Sequence, residues 1–267
     1  MSDQTKWHLG TMGFGYKEWQ GVFYPDGLAA RNHLAYYAER FDAVEIDSTF
    51  YGTPAPETVT RWTAVTPPHF TFCAKTPRTI THDQRLSPDS YAAMAQFLDT
   101  MRRLNEKLGV ILIQLPPDFN TQEQPALAQF LERLPADLRF AVEFRHRSWE
   151  ETAESTAELL QTHRICWATA DYIHLSHTIR PTTNLLYLRF IGPHGQFSSK
   201  DRELVDKTAV LEAWWQQIQT HLPQMAHVYG FFNNDYAGYS PGTCNRFKRI
   251  VGLNVAEIRP LQQKRLL

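Results

Sequence analysis

Short apolar runs alternate along this chain with longer stretches whose apolar positions recur at helical spacing. Eight runs read as strands: Trp7–Thr11, Ala43–Asp47, Phe70–Lys75, Gly109–Leu115, Phe140–Phe144, Ile165–Ala170, Leu185–Phe190 and Val228–Phe232. Several, such as Val110-Ile111-Leu112-Ile113, are continuously apolar, as expected of strands covered on both faces of a parallel sheet. Helical patterns fill most of the gaps, over Leu28–Phe41, Pro56–Val65, Ser90–Lys107, Pro125–Leu134, Glu151–Thr162 and Glu203–His221. Ser87-Pro88-Asp89 is a helix-start signal with proline in the first turn, and Ser240-Pro241 opens a last helix over Gly242–Val251. Eight strands alternating with helices in 267 residues predict a TIM (β/α)8 barrel, an α/β fold in one domain over 1–267. An open doubly wound sheet is the alternative. No linker-like composition divides the chain, and no repeat of fixed period is present.

The polar residues fall in a definite phase on these strands. Alternate strand residues face opposite sides, so Val44 and Ile46 share one side while Glu45 and Asp47 share the other. The same phase joins Glu143 to Arg145, Cys73 to Lys75 and Tyr187 to Arg189. Gln114, Asp171 and Asn233-Asn234 close the remaining strands. Charge inside a sheet is costly unless it is paired or used. Active sites of such barrels gather at the carboxyl ends of the strands. The pattern therefore predicts one polar site fed by many strands, or else an interlocked layer of ion pairs.

Within that ring, Glu143 is the candidate general base, and Lys75 and Asp171 are further catalytic candidates. Lys75 is followed by Arg78 and His82, a set suited to phosphate or carboxylate, unless the lysine simply pairs with Glu45 or Asp47. Arg145-His146-Arg147-Ser148-Trp149 offers guanidiniums, an imidazole and an aromatic plane. Glu45, Asp47, His82, Gln114, Arg145, His146, Arg189, Asn233, Asn234, Tyr51 and Trp149 are the candidate substrate-binding residues. Aromatic residues such as Phe50 and Tyr51 could stack on bases or sugars, whereas Trp19, Phe23 and Tyr24 are expected to lock the first loop onto the barrel.

Composition narrows the picture only a little. Hydrophobic residues make up 43%, enough for a sizeable core. The formal net charge of -1 gives no general reason to expect nucleic acid or an anionic membrane as partner. Cys73, Cys166 and Cys244 have no metal-ligand spacing and read as reduced thiols of a cytoplasmic protein. The start Met1–Lys6 lacks a signal-peptide apolar stretch, and the apolar runs are too short to span a bilayer. The tail Arg259–Leu267 is read as either packed on the barrel or loose. Gly10, Gly13 and Gly15 do not form a dinucleotide or P-loop fingerprint, so no organic cofactor is indicated and the cofactor is unknown. The acids with His82, His174 or His177 could supply ligands to a divalent metal, but the cations in the same ring argue against one.

Several segments together carry a family resemblance. They are Gly13-Phe14-Gly15-Tyr16-Lys17-Glu18-Trp19, Phe23-Tyr24-Pro25, Val44-Glu45-Ile46-Asp47-Ser48-Thr49-Phe50-Tyr51, Phe72-Cys73-Ala74-Lys75, Thr81-His82, Gln114-Leu115-Pro116-Pro117, Val142-Glu143-Phe144-Arg145-His146, Tyr187-Leu188-Arg189-Phe190 and Phe232-Asn233-Asn234-Asp235. From about Trp7 to Val251 the chain resembles the YecE-like family, domain of unknown function number seventy-two. The resemblance implies a TIM barrel without an established activity or agreed catalytic residues. Met12 stands where a serine is common in that family.

Three functions follow as expectations. The first is an enzyme acting on a small anionic substrate, a phosphorylated sugar or nucleotide-like molecule, by acid–base chemistry. The second is a protein that binds nucleic acid or processes phosphodiesters, suggested by Arg78, Arg145, Arg147, Lys200 and Arg202 interleaved with aromatic residues. The third is a non-catalytic ligand-binding protein.

Overall fold

The computed structural model describes residues 5–256, so the first four residues and the tail Arg259–Leu267 lie outside it. Nine strands, all parallel, form one sheet: β1 (Lys6–Met12), β2 (Ala43–Ile46), β3 (Thr71–Lys75), β4 (Leu108–Gln114), β5 (Arg139–Glu143), β6 (Cys166–Trp167), β7 (Thr169–Asp171), β8 (Leu185–Phe190) and β9 (His227–Phe232). The order is β6-β5-β4-β3-β2-β1-β9-β8-β7. Its two ends, β6 and β7, are consecutive in the chain and separated only by Ala168, so the sheet wraps into a nearly closed barrel. The sixth expected strand, Ile165–Ala170, is thus two pieces, one paired to each neighbour. At this seam a loop side chain replaces a strand partner: Thr182 Oγ1 accepts from Trp167 N (2.9 Å) and donates to the Ile165 carbonyl (2.6 Å).

The strand phase read from sequence holds. Val44, Ile46, Phe72, Ile111, Ile113, Val142, Leu186 and Leu188 pack outward into the core shared with the helices. Met12, Ala43, Cys73, Val110, Leu112, Ala141, Tyr187, Tyr229 and Phe231 fill the barrel itself. Gly10 permits close approach of β1 to β2, because a Cβ there would stand 1.8 Å from the Ala43 carbonyl oxygen. The amino-terminal end is plugged by aromatic rings. His8 stacks on Tyr229 with centroids 4.4 Å apart, and its Nε2 lies 3.0 Å from His227 Nδ1. Burial, with the neighbouring His227, draws the His8 pKa down to about 4.

The helices are α1 (His33–Ala38), α2 (Pro56–Ala64), α3 (Tyr91–Met101), α4 (Gln124–Leu131), α5 (Ser148–Glu151), α6 (Ala153–Thr162), α7 (Thr208–His221), α8 (Asn234–Ala237) and α9 (Ser240–Ile250). Several are shorter than their amphipathic pattern predicts. The helix expected over Ser90–Lys107 gives way at Arg102 to tighter 3₁₀ turns, in which Asn105 adopts φ 51°. The expected Leu28–Phe41 helix keeps its apolar face but is regular only from His33. Trp19, Phe23 and Tyr24 are buried; Trp19 and Tyr24 pack on Phe23, which packs against Tyr37 and Phe41, so they do lock the first loop to the barrel. Among the described residues, no helix is long and apolar enough to cross a membrane.

Candidate functional site

The inward-facing residues at the carboxyl ends of β2, β5 and β8 form one buried ionic chain. Arg189, 3% exposed, donates from Nε and Nη2 to Glu45 (2.7–3.1 Å) and from Nη1 to Glu143 Oε2 (2.6 Å). Arg145 Nε donates to the other Glu143 oxygen at 2.7 Å. Tyr187, one residue pair below Arg189 on the same face, donates its hydroxyl to Glu45 Oε2 at 2.6 Å. Met12 Sδ lies 3.6 Å from Arg189 Nη2, so the methionine covers the guanidinium from β1. A thioether suits that contact, being polarizable and able to fill an irregular gap.

The two carboxylates on Arg189 differ in acidity. Burial works against the Glu143 charge, but the guanidiniums of Arg189 and Arg145 outweigh it and hold the pKa down at about 2. Burial raises the Glu45 pKa; Arg189 opposes this and the neighbouring Asp47 adds to it. Every oxygen of the two carboxylates accepts at least one of these bonds. Glu143, expected as a general base, is pinned as an acceptor on both oxygens.

Above this floor opens a cavity of about 340 Å³. Its cationic wall comes from Lys75, Arg78, Arg145 and Arg189, and its acidic wall from Asp47 and Asp235. Lys75 ends β3 and is 9% exposed. Its Nζ sits 3.8 Å from the centroid of the Phe50 ring. The alternative for Lys75, a pairing with Glu45 or Asp47, does not occur, because Arg189 occupies Glu45 and reaches to 3.5 Å from Asp47 Oδ1. Among the described residues, the Lys75 ammonium makes no ion pair or hydrogen bond. Burial and the nearby Arg189 lower its pKa to about 8, against the opposing pull of Asp47 and Glu143.

Other polar groups face the same space with capacity to spare. The Arg145 guanidinium packs over the Tyr172 ring at 4.8 Å and spends only Nε on Glu143. The Gln114 amide, buried at the end of β4, bonds to no other described residue. A single π-helical turn, Thr79–Asp83, carries His82 to the rim beside Phe50. Such turns are frequent at functional sites. His82 accepts from or donates to Thr81 Oγ1 through Nδ1 at 2.8 Å, and burial with the charges of Lys75, Arg78 and Arg145 lowers its pKa to about 4. Asn233 caps α8 through Oδ1 and leaves its amide nitrogen to the cavity. Asp47 Oδ1 and Asp235 Oδ1 are buried without a hydrogen bond.

Not every expected residue reaches this space. Asp171 faces the seam side, where Oδ2 accepts from Trp214 Nε1 (2.9 Å) and the Tyr236 hydroxyl (2.6 Å). His177 Nε2 stands 3.3 Å from the other oxygen of Asp171, so this acid faces a histidine outside the cavity. Trp149 is buried against Phe144 and Phe119 and donates to the Phe119 carbonyl, so its plane is core and offers no stacking face. Tyr51 is 87% exposed and touches Phe50 edge-on, outside the lining. Asn234 is buried and accepts from Trp19 Nε1 and from Ser240, tying the first loop to α9. His146 bonds Ser148 and lines a separate crevice.

Conversely, Ile191, Gly192, His194 and Asp235 were not anticipated as lining. The loop after β8 carries three of them and has no periodicity to expose it. Asp235 sat inside the matched Phe232-Asn233-Asn234-Asp235 segment, which was the one available signal. Among the described residues, no three His, Cys, Asp or Glu side chains converge as a metal-ligand group.

The fold and this mouth define a parallel barrel protein with a charged cavity at the carboxyl end of its strands. The chain belongs to the family described as "Protein of unknown function DUF72", which it matches over residues 8–266. It is 40% identical over 113 residues to the UPF0759 protein YecE of Escherichia coli (strain K12), an alignment covering 42% of this chain and 41% of that protein's length. It is 24% identical over 279 residues to the UPF0759 protein YunF of Bacillus subtilis (strain 168), covering 96% of this chain and 98% of that one. A crystal structure of a DUF72 family protein from Thermotoga maritima superposes with a TM-score of 0.76 at 27% identity, covering 92% of this chain and 99% of that chain. A second, from Enterococcus faecalis, shares the fold with a TM-score of 0.77 at 21% identity, covering 96% and 99%.

Proposed function

We propose that this protein is an enzyme that takes a small anionic substrate, a phosphorylated sugar or nucleotide-like molecule, into the cavity at the carboxyl end of its barrel. The observation that carries the reading is Lys75: an almost buried ammonium facing the cavity with no anionic partner among the described residues. A buried cation left unpaired is costly, and a bound anion would relieve that cost. The spare nitrogens of Arg145 and Arg78, with the Gln114 and Asn233 amides, supply further donors around the same space.

The proton-moving role passes to Lys75 in this reading. Glu143 and Asp171 are engaged by fixed donors, whereas the Lys75 pKa of about 8 lies near the working range of a general acid or base. The nucleic-acid alternative is the weaker one, since Arg147 pairs with Glu151 and Arg202 lies beside Asp201.

Thermal-shift titration of the metal-stripped protein with inorganic phosphate, sugar phosphates, nucleotides and short single-stranded DNA tests the proposal. A ligand at about 100 times its Kd stabilises the native state by about 2.7 kcal/mol. A rise in Tm with a phosphorylated compound is expected, lost in Lys75→Ala and in Arg145→Ala. Unchanged Tm with every anion would refute it. A shift with DNA alone, steeply reduced by salt, would favour the alternative.

A further inference from the structure

The unpartnered Lys75 suits more than charge recognition. We propose that Lys75 is a nucleophile that condenses with an aldehyde or ketone group of the substrate to form an iminium, so that the substrate is an anionic carbonyl compound. The inference rests on the anion-binding reading for the substrate's charge, and on separate observations for the amine.

Position comes first. Lys75 is the last residue of β3, a strand flanked by β2 and β4 and in register at Lys75 with Leu112, and its side chain enters the cavity. Its carbonyl is fixed as well, accepting from Thr49 Oγ1 at 2.6 Å. Freedom of the amine is the second observation. A lysine locked to a carboxylate cannot present a lone pair, and here the carboxylates beneath it are taken by Arg189 and Arg145. The Phe50 ring covers one side of Nζ, and Arg189, a like charge, lies on the floor below. A lysine in such surroundings is the ordinary form of an activated amine. The pKa of about 8 agrees, giving on the order of a hundredfold more free amine at pH 7 than an ordinary lysine has. Third, the cavity also holds groups for the rest of the substrate: Arg145 and Arg78 for its anion, and the Gln114 and Asn233 amides for its hydroxyl groups.

The step balances without an oxidant or reductant. The Nζ lone pair forms a bond to the carbonyl carbon, the C=O π pair moves to oxygen, and one proton passes from the nitrogen to that oxygen, giving a neutral carbinolamine. That hydroxyl takes a second proton and leaves as water, and the C=N bond forms with its nitrogen protonated. The iminium withdraws electrons from the neighbouring carbon, which then releases a proton or breaks a carbon–carbon bond more easily.

The test is reductive trapping of the full-length protein. It is incubated with dihydroxyacetone phosphate in one arm and pyruvate in the other, treated with sodium borohydride, and mapped by peptide mass spectrometry. The expected result is one reduced adduct at Lys75, at least about tenfold above that at the exposed Lys6 and Lys17. The arm that labels tells a phosphate from a carboxylate as the preferred anion, and excess inorganic phosphate should suppress the phosphate arm. Intact-mass analysis of Lys75→Arg should show no adduct; the wild-type peptide map decides the matter if that variant does not fold. Labelling spread over exposed lysines with Lys75 unmodified would overturn the proposal. Phosphate stabilisation without a Lys75 adduct would sink the iminium while leaving anion binding intact. A Lys75 adduct with a neutral aldehyde such as glycolaldehyde, together with no phosphate effect on Tm, would leave the nucleophile and remove the anion.

Discussion

Arg189→Met is the sharpest perturbation of the barrel's floor. The arginine donates to Glu45 through Nε and Nη2 and to Glu143 through Nη1, and all three side chains are buried. Methionine fills a comparable length of space without charge. Glu143 would keep Arg145, but Glu45 would keep only the Tyr187 hydroxyl. Breaking a buried pair from one side costs about 3–5 kcal/mol, because the remaining charge is stranded. With Arg145 still serving one of the two acids, the lower end applies, about 3 kcal/mol. For a chain near this size each kcal/mol moves Tm by about 2–4 °C, so calorimetry at pH 7 should show a fall of roughly 10 °C. The sign of the pH dependence follows. Without Arg189 the folded-state pKa of Glu45 rises further, so its neutral form stabilises the fold at low pH and that benefit is lost as pH rises through the raised value. The deficit should therefore shrink between pH 7 and pH 5, and Arg189→Met/Glu45→Gln should melt above Arg189→Met at pH 7. A single variant melting within about 2 °C of wild type, or a deficit that neither acid nor Glu45→Gln reduces, would refute the stranded-charge argument.

Three further outcomes can be checked. The Glu143 pKa is depressed to about 2, so its stabilisation is present above the ordinary carboxylate value and lost as pH falls from there towards 2; urea midpoints of Glu143→Gln should fall less steeply over that window than those of wild type. His8, drawn down to about 4, should remain neutral at pH 5 by imidazole NMR titration, and a midpoint near 6.5 would contradict the buried pair with His227. Gly192 has φ 70° and a Cβ there would stand 2.2 Å from the Asp235 carbonyl oxygen, so Gly192→Ala should cost about 2 kcal/mol or more by chemical denaturation while a wild-type-like midpoint would show that the loop yields freely.

What was legible in the sequence was phase. Val44 against Glu45, Phe144 against Glu143 and Leu188 against Arg189 are one-residue alternations, and a pleated strand converts them directly into outside and inside. The end of the barrel that carries charge follows from the same reading, as do the strands themselves, except that the sixth is broken at Ala168 and the expected eight become nine. Pairing did not follow. Arg189 bridges β2 and β5, partners 144 and 46 residues away, and nothing local says that it, rather than Lys75, takes Glu45. Residue type also misleads about direction. Trp149 sits in an arginine-rich segment yet turns inward, because α5 begins there and Phe119 offers its indole a carbonyl. Asp171 ends a strand as Glu143 does, but the strand breaks at Ala168 and the acid meets Trp214 and Tyr236 instead. Gly192 lies in a connecting loop and Asp235 in the one-turn helix α8, both of whose conformations depend on contacts remote in the chain.

The plug of His8, His227 and Tyr229, with Tyr187, Phe231 and Met12 stacked above it, leaves the barrel no bore. Traffic is therefore single-ended. Whatever occupies the cavity arrives and departs through the same doorway, past Phe50 and Tyr172 and under the loop that carries Gly192 and His194. Under the proposed function, a spent molecule would have to clear that passage before the next could enter, so turnover would be a matter of queueing as much as of chemistry, and accumulating product would compete with fresh substrate for one gate.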